Sequence, residues 1–166
     1  MDALTYSRIT ATAMEALRGD EALRAWCLEC FGRAPLVMND VDPMQPPEER
    51  DCPLVAVMSV GGGAGQERGS FRRGLLVRCA VYDPAASEVT DAEGRPVWRD
   101  YRGARRVTDM LENYVYPCLR RAFNALNYPL STEDEELEPS NLGLFQVRAG
   151  ISVIFDTAIG EERPYL

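Results

Sequence analysis

Between residues 101 and 127, apolar side chains recur at spacings of three and four: Val107, Met110, Leu111, Tyr114, Val115, Cys118, Leu119, Ala122, Phe123 and Leu126. That periodicity gathers them on one stripe of an α-helix. A stripe this long needs an apolar surface of matching length to cover it, and the face of a sheet is the surface that fits. Pro117 falls inside the stripe and removes one backbone donor, so a kink is expected there.

The strands that would supply such a face are legible on either side. In residues 143–156, Phe145, Val147, Ala149, Ile151, Val153 and Phe155 occupy every second position. In residues 71–82, Leu75, Val77, Cys79 and Val81 alternate with Gly74, Leu76, Arg78 and Ala80, which marks a sheet with one better-buried face. Residues 54–60 form an apolar, β-branched run that predicts a buried strand. The simplest connection between 54–60 and 71–82 is an antiparallel hairpin. A short strand is expected at 35–38.

Ahead of these, Ile9, Ala13, Ala16 and Leu17, then Leu23, Trp26, Cys27 and Cys30, recur at helical spacing in 6–17 and 21–31, and Gly32 is placed as a helix stop. The expected fold is therefore α+β: a mainly antiparallel β-sheet packed against a long α-helix in the C-terminal half and an N-terminal helical segment. One domain over 1–166 can bury roughly 70% of its unfolded surface and needs no disulfide or metal staple. Within it we expect a proline-rich loop at 39–50, a glycine-rich loop at 61–70 and an excursion at 83–100 with a hairpin tip at 91–94. An acidic loop at 131–140 and an irregular tail at 157–166 complete the chain.

Composition removes several kinds of chemistry. Every basic residue is Arg, with no Lys and no His, so the commonest general base and metal ligand are absent. The net charge of −8 opposes phosphate neutralisation, and no direct nucleic-acid binding is expected. The odd count of five Cys among apolar neighbours suits a reducing compartment. The first residues lack the basic and apolar regions of a signal peptide, and no apolar run approaches the roughly 20 residues that span a bilayer.

The candidate motifs sit in the wrong contexts. Gly61-Gly62-Gly63-Ala64-Gly65 leads into a strand, whereas a phosphate loop needs Lys and a following helix. Cys27 and Cys30 have CxxC spacing, but they fall near the end of a helix rather than at its start, and structural burial is the favoured reading. The acidic residues of 133–138 lack a calcium-loop pattern, and a solvated charge run is the plainer reading. No catalytic residue, metal ligand set or cofactor is therefore expected. Charge complementarity does suggest subunit contacts. Arg68, Arg72 and Arg73 surround the glycine loop. Arg102, Arg105 and Arg106 stand at the start of the long helix, at the unfavourable end of its dipole. Glu133, Asp134, Glu135 and Glu136 are the acidic counterparts.

The order of features over about residues 3–160 is a helical segment, a proline-rich acidic loop and Asp51-Cys-Pro-Leu-Val-Ala-Val57. A glycine-rich loop, the strand at 75–82, the helix at 103–127, an acidic loop and the strand at 144–155 follow. This arrangement resembles the tail-terminator and minor tail proteins of long-tailed bacteriophages and prophages. The resemblance implies an α/β sandwich without catalytic residues, whose copies close into a ring, typically a hexamer. The ring caps the tail tube, and its implied partners are itself, the tail tube protein and head-completion or neck proteins. It would reside in the virion tail after assembly in the host cytoplasm, with no membrane partner. The alternatives are another head–tail connector, neck or baseplate adaptor, and, behind these, a thiol-redox or metal-dependent enzyme.

Overall fold

The computed structural model describes residues 5–39, 47–64, 70–138 and 143–156. Two helices open it, α1 (Tyr6–Gly19) and α2 (Glu21–Phe31). Asp20 links them: its carboxylate accepts the Leu23 N–H at 2.8 Å and so caps α2. Gly32, at φ 73°, ends α2 in the left-handed conformation that glycine adopts without steric cost.

A five-stranded sheet follows, in the order β1 (Leu36–Asn39), β2 (Leu54–Ala64), β3 (Ser70–Tyr82), β7 (Leu144–Asp156), β6 (Leu130–Glu138). All neighbours are antiparallel except β1 and β2, which run parallel. A separate ribbon, β4 (Ala86–Thr90) and β5 (Pro96–Tyr101), occupies the excursion at 83–100.

The alternation seen in the sequence has its predicted consequence. Val55, Val57, Leu75, Val77, Cys79, Val81, Val147, Ala149, Ile151 and Val153 point to one face and are buried. Against that face lie Ile9, Ala13 and Leu17 of α1, Leu23 and Cys27 of α2, and the apolar stripe of the C-terminal half. Leu126 is the exception in the stripe, because it falls in the turn beyond the helix and is exposed. At the sheet, the α1 residue Thr10 hydrogen-bonds to Ser59 of β2.

The stripe is not one regular helix. It runs as α3 (Arg102–Asp109), a π-helical turn (Met110–Val115) and α4 (Tyr116–Asn124). The Tyr116 N–H reaches the Leu111 carbonyl, five residues back. Pro117 then stands in the first turn of α4, where a missing N–H is tolerated. The backbone disruption expected at Pro117 is thus taken up by the π turn before it.

Two expected loops are corrected. Residues 61–64, three glycines and Ala64, continue β2 instead of leaving it, with a register shift between Val60 and Gly62. Gly74, opposite that shift, has no room for a side chain: a Cβ there would lie 2.8 Å from Val60 Cγ2. Residues 65–69 of that expected loop lie outside the described residues. The acidic segment is strand β6, not a loop, and it pairs with β7 around a bulge between Thr132 and Glu135. Of the proline-rich loop, Asn39 belongs to β1 and Glu49–Asp51 forms a short 3-10 turn. Residues 40–46 and the expected tail at 157–166 lie outside the described residues.

No helix covers the second face of the sheet among the described residues. Met58, Leu76, Tyr82, Leu144 and Ile154 are half-buried there. Arg78 bonds Gln146 at 3.2 Å, Arg148 bonds Glu136, and both arginines approach Glu138 at 3.7 Å.

Where α3 meets β7, packing demands glycine. A Cβ on Gly103 would stand 2.3 Å from Phe145 Cδ2 and 3.0 Å from the Asp83 carbonyl oxygen. Gly103→Ala is therefore expected to destabilise the fold by about 1–3 kcal/mol through overpacking, read as a lower urea midpoint at unchanged slope.

Candidate functional site

The feature that the core does not explain is the β4–β5 ribbon. Glu88 faces Arg99 and Val89 faces Trp98 across it, with a slip between Val89 and Thr90. Every residue of β4 is exposed, and apolar Val89 and Val97 are 50% and 62% exposed. A two-stranded ribbon is marginally stable in water by itself. This one is held at its two ends.

At the tip, the Asp91 carboxylate accepts the N–H groups of Glu93 (3.1 Å) and Arg95 (2.8 Å) and the Arg95 Nε–H (2.8 Å). Gly94 takes φ 75° to close the turn. The Arg95 amide, ahead of the other contacts, holds the Asp91 carboxyl below its ordinary pKa. Midway along the ribbon, Arg99 and Glu88 pair across the strands at 2.5 Å.

The root is stronger. Asp83 follows directly on β3, and its side chain is only 3% exposed. Arg102, the first residue of α3, donates to it from Nε (2.7 Å) and Nη2 (3.0 Å). Arg106, one turn on, donates from Nη1 at 2.7 Å and stacks 5.2 Å from the Phe31 ring centre. The Ala85 N–H adds a bond of 3.1 Å to the same carboxylate. Burial works to raise the pKa of Asp83, but the bonds and charges of Arg102, Ala85 and Arg106 outweigh it and hold the carboxyl low. The backbone closes the clasp as well: Arg102 N–H meets the Ala85 carbonyl at 3.2 Å, and Asp83 N–H meets that of Gly143 at 2.8 Å. Outside the clasp, Arg105 pairs with Asp100 at 2.6 Å.

The arginines expected at an interface therefore have partners within the chain. Arg102 and Arg106 serve Asp83, and Arg105 serves Asp100, which together offset the unfavourable charge at the start of α3. Arg72 and Arg73 lie at the other end of β3. Arg72 approaches Glu133 at 3.7 Å, and the Ser152 hydroxyl donates to the same Glu133 at 2.5 Å. Arg73 is 8% exposed and stacks against Phe71, so it belongs to the sheet interior. Arg68 lies outside the described residues. Glu136 pairs with Arg148 on the open face of the sheet, whereas Glu135 shares the helix-covered face with Ala149. Asp134 sits in the β6 bulge. The described candidates thus separate: Arg102, Arg105 and Arg106 at the root of the arm, Arg72, Arg73 and Glu133 toward the other end of β3, and Glu135 and Glu136 level with Val77 and Arg78 between them.

Sequence reasoning missed Asp83, although its signal was present. Asp83 continues the buried parity of Leu75, Val77, Cys79 and Val81, so an acid was due on the covered side of the sheet.

Cys27, Cys52, Cys79 and Cys118 are unsuited to thiolate chemistry at neutral pH, because burial raises each thiol. Burial, with a smaller contribution from Cys30, pushes the Cys27 thiol up to about 12, and burial raises Cys52 and Cys118 to about 12 as well. Among the described residues, no three His, Cys, Asp or Glu side chains are grouped to hold a metal ion, and no helix is long and apolar enough to cross a membrane. No protein-family model and no curated protein matches the chain.

Proposed function

We propose that this chain is a structural subunit of a bacteriophage or prophage tail, a tail terminator whose copies close into a hexameric ring. The ring caps the tail tube and joins it to the head or neck. The observation that carries the assembly half of this reading is the β4–β5 arm. None of its described side chains belongs to the core, it exposes Val89 and Val97, and a buried carboxylate fixes its root. A rigid arm with exposed apolar side chains gains from meeting another subunit, because pre-organisation lowers the cost of ordering on contact. Beyond Cys52, Leu54 and Ala80, which form a small buried cluster on it, the other face of the sheet carries apolar rows and mixed charges and is a second surface for the same assembly. The phage half of the reading rests on the order of elements: N-terminal helices, glycine-bearing hairpin, long helix of the C-terminal half and final alternating strand.

Light scattering after size-exclusion chromatography, with electron microscopy of assembled tails, tests the proposal. The expected result is a six-fold ring, in solution or at the head-proximal end of the tube. A chain that stays monomeric at high concentration and is absent from tails would falsify it. Labelling at the neck or baseplate instead of the tube end would point to an adaptor.

A further inference from the structure

A cavity of about 350 Å³ opens beside the root of the arm, between the end of α2 and the start of α3. Arg33, Arg102 and Arg106 line it, together with two acidic residues, Asp83 and Glu49. Asp83 is fully engaged, since it already accepts from Arg102 Nε and Nη2, Arg106 Nη1 and the Ala85 amide. One carboxylate shared by two guanidinium groups leaves a positive charge over. Arg33 adds another: its Nη1 and Nη2 donate to the carbonyls of Arg50 (3.0 Å) and Glu49 (2.7 Å), which hold the head group without cancelling its charge. Among the described residues no carboxylate pairs with Arg33. Even with Glu49 ionised, the described lining residues carry one net positive charge on a chain whose total is −8.

We propose that this cavity is a binding site for an oxyanion, a carboxylate or phosphate group. The three head groups are fixed before any ligand arrives: Arg33 by two backbone carbonyls, Arg102 by its two-pronged bond to Asp83, and Arg106 by Asp83 and the Phe31 ring. Each guanidinium carries five N–H donors, so donors remain after the bonds described. Guanidinium donors held in place by such bonds are well suited to planar or tetrahedral oxygen anions. The cavity exceeds what one ion fills, so the anion would be borne by a small molecule or by an acidic side chain of an assembled neighbour. Neither source requires the ring reading.

Titration of the full chain with sodium phosphate and, separately, sodium acetate, at ionic strength matched with sodium chloride, tests the site. Thermal unfolding and the Nε–H resonances of arginine are the readouts. A ligand at about a hundred times its Kd is expected to raise the midpoint by roughly 5–10 °C. The Nε–H signals of Arg33 and Arg102 are expected to shift while that of Arg105 stays still. A response to phosphate alone assigns a phosphate-bearing ligand; a response to both salts assigns the general oxyanion class. Arg33→Gln should weaken binding about tenfold or more, and Arg105→Gln should leave it unchanged. Absence of any Arg33 shift in the parent chain overturns the site, and so does equal affinity in Arg33→Gln. The resonance readout on the parent chain stands even if the variant folds poorly.

Discussion

A chain in which residues 87–100 are replaced by Gly-Gly should fold and fail to assemble. Ala86 and Tyr101 face each other across the ribbon, so a two-residue turn can join them without moving the root. The shortened chain loses the Asp100–Arg105 pair, whose arginine is largely exposed and whose contribution is about 0–1 kcal/mol. Among the described side chains of β4 and β5 none belongs to the core, so the unfolding midpoint should fall by only a few degrees. Assembly should weaken by a factor of about 100 or more, because interface anchors commonly cost 1–2 kcal/mol each and Val89 and Val97 leave together. Light scattering across a concentration series measures this. If the shortened chain assembles like its parent, the arm is not an interface, whatever becomes of the ring. The single change Val97→Asp should have the same direction and a smaller size.

Asp83→Ala should destabilise the fold by about 3 kcal/mol, the largest effect expected of any single polar residue here. Deleting one member of a buried charge group leaves the others desolvated without a partner. Arg102 is half-exposed and can turn to water, but Arg106 is mostly enclosed, so the loss falls at the lower end of the usual range. Asp83→Asn keeps the shape and supplies the pH test. The folded-state pKa of Asp83 lies below its ordinary value, so its ionisation stabilises the fold above the ordinary aspartate range of about 3.9. That contribution fades as pH falls from there through the folded value. The stability difference between parent and Asp83→Asn should therefore be flat near neutrality and close in acid. Urea unfolding in the shortened-arm background separates this from assembly. A difference independent of pH would mean that Asp83 acts by shape alone.

Much of this architecture was legible because two periodicities dominate the core. The stripe from Val107 to Phe123 and the alternation in β3 and β7 located the buried faces to the residue. The misread segments share one cause. Glycines at 61–63 and acids within 131–138 look like loops locally, yet each lies beside a strand whose unpaired hydrogen bonds recruit it. β3 recruits the glycines and β7 recruits the acids. On an edge strand, acidic side chains are an asset, since they discourage unwanted pairing. The candidate site was harder to read. Arginine clustering at 102–106 was visible, but its partner Asp83 is far away in sequence, and only strand parity connects the two.

The π turn at Met110–Val115 changes how the long stripe must be understood. At about 100° per residue, an unbroken α-helix would turn Phe123 some 160° away from Val107, almost to the opposite side. The wider turn takes back about one residue of rotation, so both ends of the segment can face the same sheet. The helix therefore carries two phases of one pattern, joined by a single residue of slack. Shortening the exposed side of that turn, at Glu112 or Asn113, would let the backbone revert to a plain α-helix. Val107 and Phe123 would then be fifteen residues apart, which leaves about 60° between them, so Leu119 and Phe123 would keep their place on the sheet and Arg121 its bond with Asp20 at the α1–α2 junction. Length at this point works as a phase setting between the two ends of the molecule.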